Sequence, residues 1–200
     1  LADIFDDWNK GDLESYLIEI TANIFRQHDS ITGHDLVDVI LDCAGQKGTG
    51  RWTAMAAIEQ GIPLSAITGS VEARTLSSML DKRAIASESL VGPDSWALEL
   101  EHNQKSELIE QVHNALYASK VVSYAQGLDL IAAVGEKYKW NLDLAGIARI
   151  WRGGCIIRAK FLDHISQAYT DDPSIMNLML APFFTEVLST TQQDWRETVA

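Results

Sequence analysis

Positive charge is scarce in this chain of 200 residues, which has 16 Lys and Arg against 28 Asp and Glu and a formal net charge of −12. A general nucleic-acid binder presents a broad basic face, so this composition excludes that class of partner. Any anion site must therefore be a local group of cations. The chain also has no apolar run of membrane-spanning length and no signal peptide, which predicts no membrane contact and a cytoplasmic location.

Metal-binding and redox signals are equally sparse. The five histidines show no ligand spacing, so we predict no metal site. The chain has only two cysteines, Cys43 and Cys155, and both lie in apolar, helix-like patterns. We interpret them as buried, reduced thiols rather than as a disulfide or a catalytic thiol.

Strand signals are missing as well, because no block alternates polar and apolar residues and no βαβ unit or internal repeat is present. Apolar residues recur instead in steps of three and four, which is typical of helices packed around one core. We predict one all-α, multi-helix domain over residues 1–200 with long central helices. The predicted helices cover residues 3–10, 13–24, 33–43, 52–60, 64–90, 104–138, 141–151 and 182–198, and residues 94–103 form an acidic, irregular stretch.

A glycine-rich loop, AGQKGTGRWT at residues 44–53, carries three glycines within six positions. Glycine reaches positive φ freely and lets a ligand approach the backbone. Lys47 and Thr49 stand between the glycines, just before a helix whose positive dipole end attracts anions. These features fit a phosphate-binding loop, and they equally fit a plain turn between helices. A P-loop is excluded because Arg51 and Trp52 stand where that motif needs lysine followed by serine or threonine.

A second cation, Arg74, follows on the helix predicted over residues 64–90. Its neighbours are small or polar, so its guanidinium can reach into a cleft and make planar, two-pronged contacts with a phosphate or carboxylate. A surface ion pair with Glu72 or Asp81 fits the same sequence. The residues of this helix alone do not decide between the two roles.

Two features bear on assembly. The helix predicted over residues 104–138 is very long and has a stretch of small residues, and Gly153-Gly154 suggests a tight helix crossing. Together they predict a homodimer. Arg152 and Arg158 flank the glycine pair and fit surface ion pairs or a subunit contact.

Six separate stretches, in this order, resemble the helical C-terminal domain of 6-phosphogluconate dehydrogenase. They are LIEITANI (17–24), AGQKGTGRWT (44–53), AR with LSS (73–78), ALYASK (115–120), SYAQG (123–127) and WRGGCIIR (151–158). The resemblance spans nearly the whole chain. Small departures are Arg51, where lysine is usual in that family, and Glu72, where an aromatic residue is usual.

The resemblance implies an NADP-dependent oxidative decarboxylation of 6-phosphogluconate to ribulose 5-phosphate, a step of the pentose phosphate pathway, in a homodimeric enzyme. By match to the family's motifs, Lys47 and Arg74 hold the substrate phosphate, and Thr49 supplies a nearby hydroxyl. The same resemblance implies that the Rossmann domain that binds NADP and the catalytic acid and base lie before Leu1. A tail that completes the partner's phosphate site would lie after Ala200.

We therefore expect a fragment without catalytic residues of its own, which supplies substrate-binding and dimer surfaces and does not turn over substrate alone. A second hypothesis from another class remains open. The chain could be a non-catalytic helical binding or assembly module that has kept an anion-binding loop.

Overall fold

A computed structural model describes residues 1–92 and 101–199, and these residues form helices and no sheet. The all-α prediction is confirmed. The helices are α1 (Ala2–Trp8), α2 (Tyr16–Phe25), α3 (Leu36–Val39), α4 (Thr49–Gln60), α5 (Ser65–Ser77), α6 (Leu80–Ser89), α7 (His102–Tyr138), α8 (Leu144–Ile150), α9 (Phe161–Asp171) and α10 (Pro182–Val199). A short 3-10 helix, Leu178–Leu180, precedes α10.

Helix α7 is the longest of the described helices and confirms the long helix predicted over residues 104–138. Its 37 residues extend about 55 Å at 1.5 Å per residue. A capping box formed by Glu101 and Gln104 begins it, and Lys139, with φ of 57°, ends it. Ala118 and Ala125 in its middle are fully buried, so neighbouring helices approach its backbone closely.

The main core lies where α7 meets α8, α9, α10 and the start of α2. Phe161, Leu162 and Ile165 of α9 point into it at helical spacing, and Phe184 of α10 closes it. Phe161 is its centre, because its ring lies 5.2 Å from that of Tyr124 and 5.4 Å from that of Phe184.

A smaller core holds α4 and α5 onto α7. Ala57 of α4 and Leu64, just before α5, pack against Leu130 of α7. Helices α4 and α5 are consecutive and antiparallel, and we call them the α4–α5 hairpin. The hairpin meets α7 at its closed end, around the turn of Gly61, whose φ of 68° ends α4 as predicted.

The helix predicted over residues 64–90 is in fact two helices. Helix α5 ends at Ser77, and Met79 has a ψ of 55° that no α-helix accommodates. The guanidinium of Arg83 donates to the Ser77 carbonyl at 3.2 Å and to the Asp42 carbonyl at 3.0 Å. These bonds hold the break in place, so the fold has one long central helix rather than several.

The predicted helix over residues 33–43 shrinks to the four residues of α3. The Asp29 carboxylate accepts both the amide and the hydroxyl of Thr32, at 2.8 and 2.6 Å. These local side-chain bonds form a tight turn shortly before α3. Ile40, which directly follows α3, is exposed.

The glycine pair and the cysteines also differ from the sequence expectations. Gly153 and Gly154 follow α8 in a turn, where Gly154 has φ of 67° and an added Cβ at either position would meet no atom within 4 Å. No tight crossing exists there. Cys43 and Cys155 are unpaired thiols, as predicted, but they are partly exposed and lie outside the helices.

Three further expectations concern the last helix, the two arginines beside the glycine pair and the acidic stretch. The last helix, predicted over residues 182–198, is confirmed by α10. Arg152 pairs with Asp163 at 2.6 Å on the surface, and the guanidinium of Arg158 stacks 3.7 Å from the centre of the Tyr16 ring. Most of the acidic stretch predicted as irregular, residues 94–103, lies outside the described residues.

Candidate anion site at the open end of the hairpin

The glycine-rich loop meets helix α4 at Gly48. Gly48 is the N-cap residue of α4 and has φ of 98°, which is strained for any residue with a Cβ. Thr49 is therefore the first residue of the helix, and the backbone N–H groups of the first turn point along the helix axis towards the loop. This end of α4 has the geometry that favours an anion.

Helix α5 holds the loop through three hydrogen bonds. The Arg74 guanidinium donates to the Gly45 carbonyl. The Ser77 hydroxyl accepts from the Ala44 amide at 3.0 Å, and a weaker bond at 3.4 Å joins the Gln46 amide to Thr75. The loop is thus fixed against the C-terminal half of α5.

This arrangement brings the predicted site residues to one place. Arg74 contacts Gly45, which is only two residues from Lys47. The Cα atoms of Gly45 and Lys47 are therefore at most about 7 Å apart. Among the described residues Arg74 makes no ion pair within 4.0 Å with Glu72 or Asp81, so the surface-pair alternative is wrong. We call residues 44–49 together with Arg74 the cradle.

A close approach of the two helices sets the width of the cradle. A Cβ added at Gly50 of α4 would lie 2.8 Å from a methyl of Val71 on α5. Val71 is β-branched and has little rotamer freedom in a helix, so it cannot easily turn away. Gly50 therefore lets α4 and α5 come together in the first turn of α4, directly beside residues 44–49.

The polar groups of the cradle are available for a ligand. Lys47, Thr49 and Arg74 are all exposed. Within residues 1–92 and 101–199, neither the Lys47 ammonium nor the Thr49 hydroxyl has a hydrogen-bond partner. Two cations, a hydroxyl and the first-turn N–H groups of α4 match the acceptors of a phosphate dianion.

The surroundings of the cradle are apolar on one side. A cleft of about 660 Å³ begins at Thr49 and is lined mainly by apolar side chains, including the rings of Trp52, Trp140 and Trp151. In the part of the chain that the structure describes, no group of three or more His, Cys, Asp or Glu residues could hold a metal ion.

The sequence named Lys47, Thr49 and Arg74 as candidate site residues, but it did not indicate the residues that hold the loop and α5 in place. Ser77 and Thr75 pin the loop, and Gln126 of α7 bonds the start of α5. The sequence marks these three residues only by their position: Thr75 and Ser77 lie in the short polar stretch around Arg74, and Gln126 lies in SYAQG.

No described helix is both long and apolar enough to cross a membrane.

Comparison with known proteins places this geometry in a family. The family model for the 6-phosphogluconate dehydrogenase C-terminal domain matches residues 1–200. The chain is 51% identical over 199 residues to a 6-phosphogluconate dehydrogenase of Bacillus subtilis, described as NAD(+)-dependent and decarboxylating, covering 100% of this chain and 42% of that protein. It is 50% identical over 200 residues to the decarboxylating enzyme of Escherichia coli, covering 100% of this chain and 42% of that protein.

A solved structure gives the same result in three dimensions. The 6-phosphogluconate dehydrogenase of Plasmodium falciparum superimposes with a TM-score of 0.93 at 41% identity, covering 99% of this chain and 42% of that one. That enzyme is described in its apo form, with its cofactor NADP+ and with its substrate 6-phosphogluconate. This chain spans about two fifths of the length of these relatives, and it belongs to the 6-phosphogluconate dehydrogenase C-terminal domain family.

Proposed function

We propose that this chain is the phosphate-binding part of a 6-phosphogluconate dehydrogenase, which oxidises and decarboxylates 6-phosphogluconate to ribulose 5-phosphate while reducing NADP. Relatives with about half of their residues identical over the whole chain support this reaction. One observation supports the site most directly. The Arg74 guanidinium lies on the Gly45 carbonyl and so brings a second cation to the loop of Lys47.

Each cradle group has a stated role in this proposal. Lys47 and Arg74 approach the phosphate dianion from the loop and from α5, and the Thr49 hydroxyl donates from the first turn of α4. Charge-assisted hydrogen bonds of this kind are each worth about 1.5–3 kcal/mol. The chain carries a net charge of −12, so binding depends on these short-range contacts rather than on a long-range positive field.

The apolar cleft indicates which part of the substrate this chain holds. Its rings, Trp52, Trp140 and Trp151, offer few hydrogen-bond partners to the hydroxyls of a sugar acid. The gluconate carbons therefore extend away from the cleft, and this chain binds mainly the phosphate. By holding that end, the cradle fixes the distance of the reacting carbon from the groups that act on it.

NADP and the catalytic acid and base belong to other parts of the parent enzyme. NADP supplies the hydride acceptor. Residues 1–92 and 101–199 contain no parallel sheet, the element that positions a dinucleotide in Rossmann domains, so this chain does not hold the coenzyme by that fold. The unpaired thiols of Cys43 and Cys155 suit the reducing cytoplasm in which we place the protein.

Titration of this chain followed by NMR tests the proposal. We expect 6-phosphogluconate to shift the backbone amide signals of residues 44–50 with a dissociation constant on the order of 1 mM, which corresponds to about 4 kcal/mol. Gluconate, which lacks only the phosphate, should leave those signals in place. Equal shifts with both compounds, or no shift with either, would contradict the proposal.

We propose further that the protein is a homodimer. Helix α6 contacts other described helices only sparsely, and Leu80 and Ile85 on it are exposed, as is the adjacent Leu76. An apolar face of this kind marks an interaction surface. Sedimentation should give twice 22.1 kDa for the wild type and a monomer for Ile85→Glu. A monomeric wild type at high protein concentration would count against the dimer.

A further inference from the structure

Helix α5, which carries Arg74, has no capping side chain of its own. Its N-cap residue is Leu64, whose side chain offers no hydrogen-bonding group. The amide of Gln126 on α7 takes that role from another helix. Its Oε1 accepts from the Ala66 N–H at 2.9 Å, and its Nε2 donates to the Ser65 hydroxyl at 3.1 Å.

The Gln126 contact lies at the end of α5 that packs against α7. None of the residues of α5 is buried. Leu64, just before it, packs in the small core with Leu130, and Ile67 passes close to Gly127. Arg74, at the far end, contacts the loop rather than α7.

Helix α5 therefore acts as a lever whose pivot is at Gln126. Eight residues separate Ala66 from Arg74, or about 12 Å at 1.5 Å per residue, so a tilt of about 5° at the pivot moves Arg74 by about 1 Å. A displacement of that size is enough to weaken the contacts of Arg74 with a bound phosphate. The loop moves with the lever, because Thr75 and Ser77 bond it to the same helix.

We propose that Gln126 is a positioning residue for phosphate binding: its amide fixes the direction of α5 and so sets where Arg74 and the loop of Lys47 meet the substrate phosphate. This inference rests on the function proposed above. It assigns to the glutamine of the SYAQG stretch a role in a site that it does not touch.

Three variants of one position test the role. Gln126→Leu keeps the approximate volume but leaves the Ala66 N–H without an acceptor. Gln126→Glu keeps an acceptor for the Ala66 N–H, and the Ser65 hydroxyl can turn to donate to the new carboxylate. The negative charge of that carboxylate is favoured at the N-terminus of α5. Gln126→Asn keeps the amide but withdraws it by one methylene, and it replaces the leucine variant if that protein does not fold.

Asn114→Leu is the matched control. Asn114 is also an α7 amide that bonds to another helix, since its Nδ2 donates to Asp194 of α10 at 2.6 Å. It lies away from the α4–α5 hairpin. Its loss should lower the thermal midpoint of unfolding about as much as the loss of the Gln126 bonds, without moving α5.

Steady-state kinetics of the parent enzyme give the first readout. We expect Gln126→Leu to raise the KM for 6-phosphogluconate, and the inhibition constant of inorganic phosphate, about tenfold while kcat changes less than about twofold. Gln126→Glu should restore both constants to within about threefold of wild type. An unchanged KM in Gln126→Leu, or the same rise in Asn114→Leu, would overturn the proposal.

A crystal structure of the Gln126→Leu chain gives a second readout that does not depend on the enzyme's activity. The Arg74 guanidinium and the loop that it contacts should be displaced together by about 1 Å relative to α7, and an unmoved Arg74 would refute the lever. If Arg74→Met leaves the KM unchanged, the proposed phosphate site is wrong. If Arg74→Met raises the KM and Gln126→Leu does not, only the positioning role fails.

Discussion

Replacing Arg74 by methionine in the parent enzyme should lower kcat/KM for 6-phosphogluconate about 100-fold, and replacing Lys47 should lower it about 10- to 50-fold. Each change removes a charge-assisted hydrogen bond to the phosphate, worth about 1.5–3 kcal/mol. Arg74→Met is expected to cost more, because Arg74 also donates to the Gly45 carbonyl. Its loss removes one phosphate contact and loosens the loop that supplies the other.

The double variant separates these two effects. If Lys47 and Arg74 acted independently, their losses of binding free energy would add. Because Arg74 holds the loop of Lys47, we expect Lys47→Met/Arg74→Met to cost less than the sum, with a coupling of about 0.5–1.5 kcal/mol in a double-mutant cycle. Arg74→Lys should fall between wild type and Arg74→Met, since it keeps the charge but not the planar fork.

Lys10→Met serves as the control for removing a positive charge. Lys10 is 74% exposed and pairs with Asp7 on α1 at 2.7 Å, so it should leave kcat/KM within about twofold. A loss of less than about threefold in both Lys47→Met and Arg74→Met would show that the cradle does not bind the substrate phosphate.

Local signals in the sequence were sufficient for the elements that depend on local physics. The long apolar period of α7, the positive φ of Gly61 and the start of α10 at Pro182 are all properties of neighbouring residues. These features predicted the all-α class and the largest helix without any knowledge of tertiary contacts.

The break between α5 and α6 could not be found in the same way. No glycine or proline marks it, and Arg83 stabilises it by bonding to Asp42, which is 41 residues earlier. The place of Arg74 beside Gly45, 29 residues away, is likewise a tertiary contact. From the residues alone a surface ion pair fitted Arg74 equally well, and only the family resemblance favoured the phosphate role.

Gln126 illustrates a different limit. A glutamine in the middle of a helix usually faces solvent, and its sequence neighbours suggested only close helix packing. Its function follows from the missing cap of α5, which becomes evident only when the two helices are placed together. The sequence was thus sufficient to name the loop and the cations as a candidate anion site. The residues that position them became evident only in the folded structure.

The largest effect on stability should come from the centre of the main core. Phe161→Ala is expected to lower the free energy of unfolding by about 3–5 kcal/mol, out of the roughly 5–15 kcal/mol typical of a domain. Phe161 is 1% exposed, and its ring also lies 6.0 Å from that of Tyr117. The smaller side chain leaves a cavity that α7, α9 and α10 can fill only by moving together.

Chemical denaturation of this chain measures the loss, and Phe183→Ala is the matched control. Phe183 is 37% exposed and stacks on His164 at the surface, so the same truncation should cost less than about 1.5 kcal/mol. Lys120 gives an independent readout, because its ammonium lies over the Phe161 ring and burial lowers its pKa to about 8. Removing the ring admits water beside the ammonium, so in Phe161→Ala the pKa of Lys120 should rise towards its ordinary value. A Phe161→Ala protein as stable as Phe183→Ala, with an unchanged Lys120 pKa, would mean that this aromatic cluster is not the centre of the core.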